Sequence, residues 1–223
     1  MIKLPDQQNI IRDYFKLIED PTFSCIAAKA ALKKKQIKCF VAGHMACPHD
    51  DANILKFLYE FIDHYRNSKE MYHSAAVFFK APEVIDEELF ERFLWQRLQS
   101  LSDLDKPYYA HDKRVSARPH DRNFSFSLKG EAMFVIGLHA GSSRKARRFR
   151  YPSLIFNPHQ QFEDLRASGK FAKMKYAVRK KEVALSGSIN PMLRDFGEFS
   201  EVYQYSGKVY DDNWQCPLKI SNG

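Results

Sequence analysis

A chain of 223 residues with 44% hydrophobic and 14% aromatic side chains has ample apolar surface for one large folded unit, which excludes the disordered class. Mean hydropathy is −0.48, no apolar run approaches the ~20 residues of a membrane span, and Met1 to Asp6 lacks a signal-peptide apolar stretch, so a soluble cytoplasmic protein with no membrane partner is expected. The net charge of +8 is uneven: residues 1–139 hold 20 basic and 19 acidic side chains, residues 140–181 hold 12 and 2, and residues 182–223 hold 3 and 6.

The predicted elements follow in chain order. Ile10, Ile11, Tyr14, Phe15 and Ile18 recur at the helical period between Asp6 and Glu19, and Pro21 stops that helix. Cys25 to Lys34 is alanine-rich and helical, with lysines at its C-terminal end where the helix dipole favours them. Lys38 to Gly43 reads as a strand and His44 to Asp51 as a polar loop. Asn53 to Tyr65 is an amphipathic helix on Ile54, Phe57, Leu58, Phe61 and Ile62. Ala75 to Phe79 is a short buried strand. Asp86 to Leu101 is a helix with Leu89, Phe90, Phe93, Leu94 and Leu98 inward. Residues 102–123 are irregular. Phe124 to Leu128 and Ala132 to Leu138 flank Lys129-Gly130-Glu131, a hairpin signal.

In the second hairpin strand, period 2 puts Val135, Gly137 and His139 on one face and Phe134, Ile136 and Leu138 on the other. The bulky set is expected to be core. The sparse set, opened by Gly137, is expected to leave room for something flat. Ser153 to Phe156 is a further strand. Asn157 then reads as a helix N-cap, Pro158 as the first helical residue and Gln160 as a capping-box partner. His159, Phe162, Glu163 and Arg166 share a face of that helix. Gly169 interrupts it, a second helical segment runs to about Lys181, and the remainder is loop-rich. With no repeat and no linker, the expected architecture is α+β: a single domain, 1–223, with a small mixed or antiparallel sheet flanked by helices.

The basic excess lies beside two histidines. His139 ends the hairpin strand, His159 opens the next helix, and Arg144, Lys145, Arg147, Arg148 and Arg150 lie between. A basic segment of that density implies an anionic partner, and arginine suits bidentate contacts to carboxylate or phosphate. Two imidazoles flanking such a cluster fit an anionic, iron-bearing cofactor such as haem. A nucleic-acid or phosphate-binding module competes for the same segment, but no RNA-binding or helix-turn-helix signature accompanies it, so nucleic acid is not the expected partner. Cys25, Cys39, Cys47 and Cys216 show no CxxC spacing and no CxxCH, which argues for free thiols and against covalent haem attachment. His44, Cys47, His49, Asp50 and Asp51 cluster without a standard zinc spacing. Gly-rich phosphate loops, GxSxG and HExxH are absent.

Six ordered motifs carry a resemblance: Phe124-Ser125-Phe126 to Gly130, Gly137 to Phe149, Phe156 to Arg166, Gly187 to Leu193, Phe196 to Glu201, and Gln204 to Gly207. With Phe23-Ser24-Cys25 and Ala28-Lys29-Ala30, where serine stands in place of the family's proline, the chain resembles the YqcI/YcgG family over nearly its whole length. That family includes haem-dependent enzymes that N-hydroxylate guanidino groups such as that of L-arginine. The resemblance implies haem b, dioxygen, a small guanidine substrate and electrons from a separate reductase, since no dinucleotide or flavin fingerprint occurs here. A haem protein for sensing, storage or peroxide chemistry is the alternative, and a homodimer is compatible with either. For the iron's axial ligand the candidates are His159 first, then His139 and Cys25. Cys25 enters because a thiol at a helix start is expected to have a lowered pKa. Arg144, Arg147, Arg148 and Ser143 are expected to hold the propionates. Glu198, Glu201 and Asp195 are expected to meet the guanidinium, because the fork geometry matches a carboxylate.

Overall fold

The computed structural model describes residues 6–188, 192, 196–211 and 213–220. Its helices are α1 (Gln7–Glu19), α2 (Ile26–Lys33), α3 (Asp51–Arg66), α4 (Glu87–Asp105), α5 (His159–Ala167), α6 (Lys170–Ser186) and α7 (Val202–Tyr205). Its strands are β1 (Ile37–His44), β2 (Ser74–Ala81), β3 (Phe126–Leu128), β4 (Glu131–Leu138) and β5 (Ser153–Pro158). One open five-stranded sheet runs in the order β1-β2-β5-β4-β3. β1 and β2 are parallel and joined through α3, while every other pair is antiparallel. The fold class is therefore α+β with a mixed sheet and helices on both faces.

The central strand shows why both faces are covered. In β2, Ala75, Val77 and Phe79 join a core with α3 and α4, while Ala76 and Phe78 join a second core with α1. A strand packed on both sides reads as a continuous apolar run, and β2 is buried from Ser74 to Phe79. The hairpin turn is the two-residue kind. Lys129 and Gly130 both have positive φ, 51° and 65°, which matches the twist of the flanking strands. Lys129 accepts that geometry while its N–H donates to Asp105 at 2.9 Å and its ammonium reaches Asp63 at 2.6 Å.

Two local expectations are corrected. β5 continues through Pro158, and α5 begins at His159 with Pro158 in the N-cap position. Asn157 does not cap: its amide donates to the Phe134 carbonyl across the sheet, and Gln160 bonds Arg114 and Asp164. Strand pairing with β4 outcompeted the capping box. The faces of β4 are also exchanged in role. Val135 lies in the α3/α4 core, and a Cβ on Gly137 would sit 2.6 Å from Phe90 and 2.9 Å from the Tyr205 carbonyl. The sparse face is thus filled by neighbours, and the bulky face is the one left facing open space.

Candidate functional site

That open space is a cavity of ≈ 300 Å³, at the lower end of the range for small-molecule sites. Phe134, Ile136 and Leu138 of β4, with Ile155 of β5, form its floor. Cys25, Ala28 and Ala31 bring α2 to one side. α5 supplies His159, Phe162 and Leu165, and α6 supplies Phe171, Met174 and Val178. The α6 residues recur at i, i+3 and i+7, an apolar stripe inside a basic helix. Small alanines on α2 keep the backbone close while leaving volume in the middle.

Polar and charged side chains interrupt these apolar walls, among them His73, His159, Arg147, Glu182 and Glu201. His159 is buried. Its Nε2 lies 3.3 Å from Glu163, one turn on, and its Nδ1 lies 3.9 Å from Glu201. Desolvation, ahead of the opposing Glu163 charge, holds its pKa below the ordinary imidazole value, so the ring is neutral near pH 7 with a lone pair to offer. Its ring centroid is 4.3 Å from that of Phe196.

Arg147 enters the cavity from the turn Lys145–Arg147. Its guanidinium donates to the backbone carbonyls of Gly137 (3.1 Å), Gln204 (2.9 Å) and Tyr205 (3.4 Å). Burial pushes its pKa down to about 10. The Glu182 charge opposes that shift, and this half-buried guanidinium hydrogen-bonds only to carbonyls among the described residues, which leaves it able to take an anionic ligand group.

Glu201 is buried between Ser125 (2.8 Å) and Tyr205 (2.5 Å), whose hydroxyls both donate to its Oε1. Burial dominates and raises its pKa to about 8, so the carboxyl is protonated at neutral pH. Its other oxygen is the one 3.9 Å from His159.

The structure separates the other sequence candidates from this centre. His139 is buried on the opposite face of β4, with its ring stacked on Phe90 at 4.2 Å and its pKa pushed down to about 4 by burial. It does not line the cavity. Cys25 does line the cavity and caps α2, accepting from Ala28 N–H at 3.4 Å. Its pKa is raised rather than lowered, because burial outweighs the helix N–H groups. Arg144 donates to Glu182 at 2.6 Å and to the Ser188 carbonyl, and it is buried off the cavity, whose lining Glu182 joins. Arg148 is exposed and donates to the Ser142 carbonyl, and Ser143 is exposed and bonds Glu87. Of the expected propionate partners, Arg147 lines the cavity, whereas Arg144, Arg148 and Ser143 do not.

Of the expected guanidinium partners, Glu201 lines the cavity, Glu198 is exposed outside it, and Asp195 lies outside the described residues. Tyr205 is core, and Tyr203 and Trp214 pack with Tyr210 on the α4 side of the sheet. In the 44–51 cluster, His44 Nδ1 accepts from Ala46 N–H and Asp50 from Gly43 N–H, while Asp51 pairs with Arg97. Among the described residues no three His, Cys, Asp or Glu side chains are placed to hold a bare metal ion.

Sequence reasoning missed Glu182, Gln204 and Arg166, all at the cavity. Glu182 is the lone acid in a helix with six basic side chains, and that isolation was the available signal. Arg166 pairs with Glu163 and lies 4.6 Å from the Phe171 ring centre, tying α5 to α6 over the cavity.

Cofactor chemistry can be tested against this donor set. An iron that brings a tetradentate macrocycle needs one good protein ligand and an apolar slot, with cations for its acidic edge. Two buried imidazoles, His159 and His73, both with pKa lowered by burial, largely apolar walls and the guanidinium of Arg147 meet those requirements. The residues present fit haem.

Comparison with known proteins agrees with the sequence motifs. The uncharacterized protein YqcI of Bacillus subtilis (strain 168) is 28% identical over 211 residues, covering 90% of this chain and 82% of that protein. The uncharacterized protein YcgG of the same organism is 27% identical over 208 residues, covering 87% and 80%. No solved structure matches the chain. The YqcI/YcgG family profile matches residues 14–219, which include every cavity-lining residue, and the chain belongs to the YqcI/YcgG family.

Proposed function

We propose that this protein binds haem b in the α2/α5/α6 cavity, where His159 would hold the iron, and N-hydroxylates the guanidino group of a small molecule. The observation that carries the reading is the pairing of a buried neutral imidazole with a half-buried arginine, hydrogen-bonded to carbonyls, in one largely apolar cavity. The cofactor, when bound, supplies dioxygen activation, which a guanidine nitrogen requires because its lone pair is delocalised. The balanced change is guanidine, O2, two electrons and two protons giving N-hydroxyguanidine and water, with the electrons from a separate reductase.

The chain's own residues bind, orient and exclude water. Glu163, 3.3 Å from Nε2, orients the ring of His159, while Nδ1, with Glu201 beyond hydrogen-bond distance at 3.9 Å, is the nitrogen that would hold the iron. Arg147 offers N–H donors and charge to an acidic edge of the cofactor. Glu201 is the carboxyl group that meets a guanidine. It is protonated alone, and a guanidinium beside it favours the ionised form and a bidentate contact. Phe162, Phe171 and Met174 keep the surroundings dry, which strengthens each of these contacts.

Absorption spectra of protein expressed with haem supply test the reading. The expected result is a stoichiometric Soret band that His159→Ala abolishes or shifts and His139→Ala leaves unchanged. Its ferrous-CO band is of the imidazole rather than the thiolate type, and dioxygen uptake depends on an added guanidine. A colourless protein that takes up no haem overturns it. A Soret band without guanidine-dependent dioxygen uptake overturns the oxygenase half and leaves a haem-binding protein.

A further inference from the structure

α6 has a second face, and basic side chains crowd it. The helix carries Lys170, Lys173, Lys175, Arg179, Lys180 and Lys181 against one acid, Glu182, which is buried and paired with Arg144. Some lysines elsewhere find carboxylates, Lys34 with Glu70 at 2.6 Å, Lys106 with Asp103 at 2.9 Å, Lys129 with Asp63 at 2.6 Å and Lys208 with Glu91 at 3.1 Å. Lys170, Lys173 and Lys180 form no ion pair among the described residues, and they are exposed. Their neighbour Lys181 reaches a backbone carbonyl instead, Pro21 O at 3.4 Å. The ammonium of Lys29 on α2 converges on that same oxygen at 3.4 Å. Burial, followed by the Lys181 charge, lowers the Lys29 pKa. Two ammonium groups on one carbonyl carry the basic patch from α6 onto α2, where the Asp20 charge opposes it in part.

The patch also has an apolar centre. Tyr176 is 72% exposed and Val183 is 44% exposed. Lys173, Tyr176, Lys180 and Val183 follow at i, i+3, i+7 and i+10, one face of the helix. An exposed tyrosine inside a ring of charges is a frequent composition of protein–protein contact surfaces. The opposite face of the same helix, Phe171, Met174 and Val178, is the cavity wall. A partner seated on the outer face is therefore about one helix diameter, ~10 Å, from the cavity.

We infer that the outer face of α6, centred on Lys173, Tyr176 and Lys180, is the docking surface for an acidic protein that carries one-electron equivalents to the cavity. The inference rests on the haem-dependent monooxygenase reading for the partner's role, since that reaction consumes two electrons that the chain does not itself supply. The carrier's reduced centre is oxidised and the cavity's cofactor reduced, one electron per docking and two dockings per turnover. Charge complementarity selects a protein with an acidic face around its redox centre, and the long-range field of the lysines speeds its encounter.

The test uses the haem-loaded protein, its K170E/K173E/K180E variant and a plant-type [2Fe–2S] ferredoxin as probe. Calorimetric titration gives the ferredoxin affinity at low and high ionic strength. Stopped-flow absorbance gives the rate of haem reduction by reduced ferredoxin and, separately, by dithionite. Ferredoxin binding is expected to weaken with salt and to fall at least ~10-fold in the variant, with the ferredoxin-driven rate falling in step. Dithionite reduction and thermal stability are expected to be unchanged. Equal ferredoxin affinity in the two proteins overturns the proposal. So does tighter binding of duplex DNA or of anionic vesicles than of ferredoxin, which assigns the lysines to nucleic acid or to a lipid surface. A protein without haem that still loses ferredoxin affinity on charge reversal refutes the oxygenase reading and keeps the surface. A haem-loaded protein indifferent to the reversal does the opposite.

Discussion

Gly137 shows how one absent side chain decides which face of a strand is available. Phe90 and the Tyr205 carbonyl occupy the volume a Cβ would need, and the carbonyl belongs to backbone that cannot rotate away. Gly137→Ala is expected to cost ~1–3 kcal/mol by overpacking, read as a lower urea midpoint at unchanged slope. Two arginines one position apart have different consequences. Arg147 serves three carbonyls inside the fold, so Arg147→Met leaves them without that donor and is expected to cost ~1–3 kcal/mol. Arg148 is exposed on the loop, and Arg148→Ala is expected to stay within ~0.5 kcal/mol. Urea titration of both variants checks the contrast, and equal losses would remove the distinct role given to Arg147.

At the scale of elements, the cavity is made by the joint between α5 and α6. Gly169 holds that joint with φ of 69°, and a Cβ added there would meet no atom within 4 Å beyond its immediate neighbours. Its requirement is therefore backbone conformation alone. Gly169→Ala is expected to cost about 1 kcal/mol through left-handed strain, with a matching drop in Tm. On the other side of the sheet, Arg97 of α4 pairs with Asp51 of α3 and donates to the Met45 carbonyl at 2.7 Å. Both side chains are almost fully buried. Arg97→Met strands the Asp51 charge and is expected to cost ~3–5 kcal/mol, measured by denaturant unfolding. The double variant Arg97→Met with Asp51→Leu is expected to recover much of that loss, because the stranded charge is then gone.

At the scale of the whole molecule, buried titratable groups shape the pH dependence. His73, His111, His139 and His159 all have folded pKa values below the ordinary 6.5, with desolvation the leading cause in each. For His139 the folded value is about 4. The unfolded chain binds that proton first, so the stability tied to neutral His139 is complete above pH 6.5 and lost as pH falls toward about 4. Glu201 has the reverse sign. Burial raises its folded pKa from 4.5 to about 8, so its contribution is complete below pH 4.5 and lost as pH rises through about 8. Urea midpoints across that range are expected to show His139→Phe, which keeps a ring against Phe90, flattening the acid limb. Glu201→Gln is expected to flatten the alkaline limb. Unchanged limbs in both variants would show that these groups do not set the profile.

How much was legible follows from the range of each interaction. Periodicity placed α1 to α6 and the strands, and the hairpin around Lys129-Gly130-Glu131 one residue longer than the turn that forms, because those signals are local and repeat several times, whereas the short α7 was read as loop. The motif order identified the family, and His159 beside Glu163 was readable as an i, i+4 pair. By contrast, which face of β4 meets the cavity was not readable. Period 2 separates Phe134, Ile136 and Leu138 from Val135 and Gly137, but it does not say which set a neighbouring helix will cover. That was decided when Phe90 of α4 and Tyr205 of α7 closed on Gly137. The division of the arginines was equally non-local: Arg144 turned to Glu182, 38 positions away, and Arg147 to carbonyls 57 and 58 positions away. The sequence by itself determined the elements, the concentration of charge between His139 and Lys181, and the family. Tertiary structure alone decided that His159, Arg147 and Glu201 share a cavity while His139 does not. The physical reason is that burial and charge pairing depend on contacts between segments distant in the chain, which no local pattern encodes.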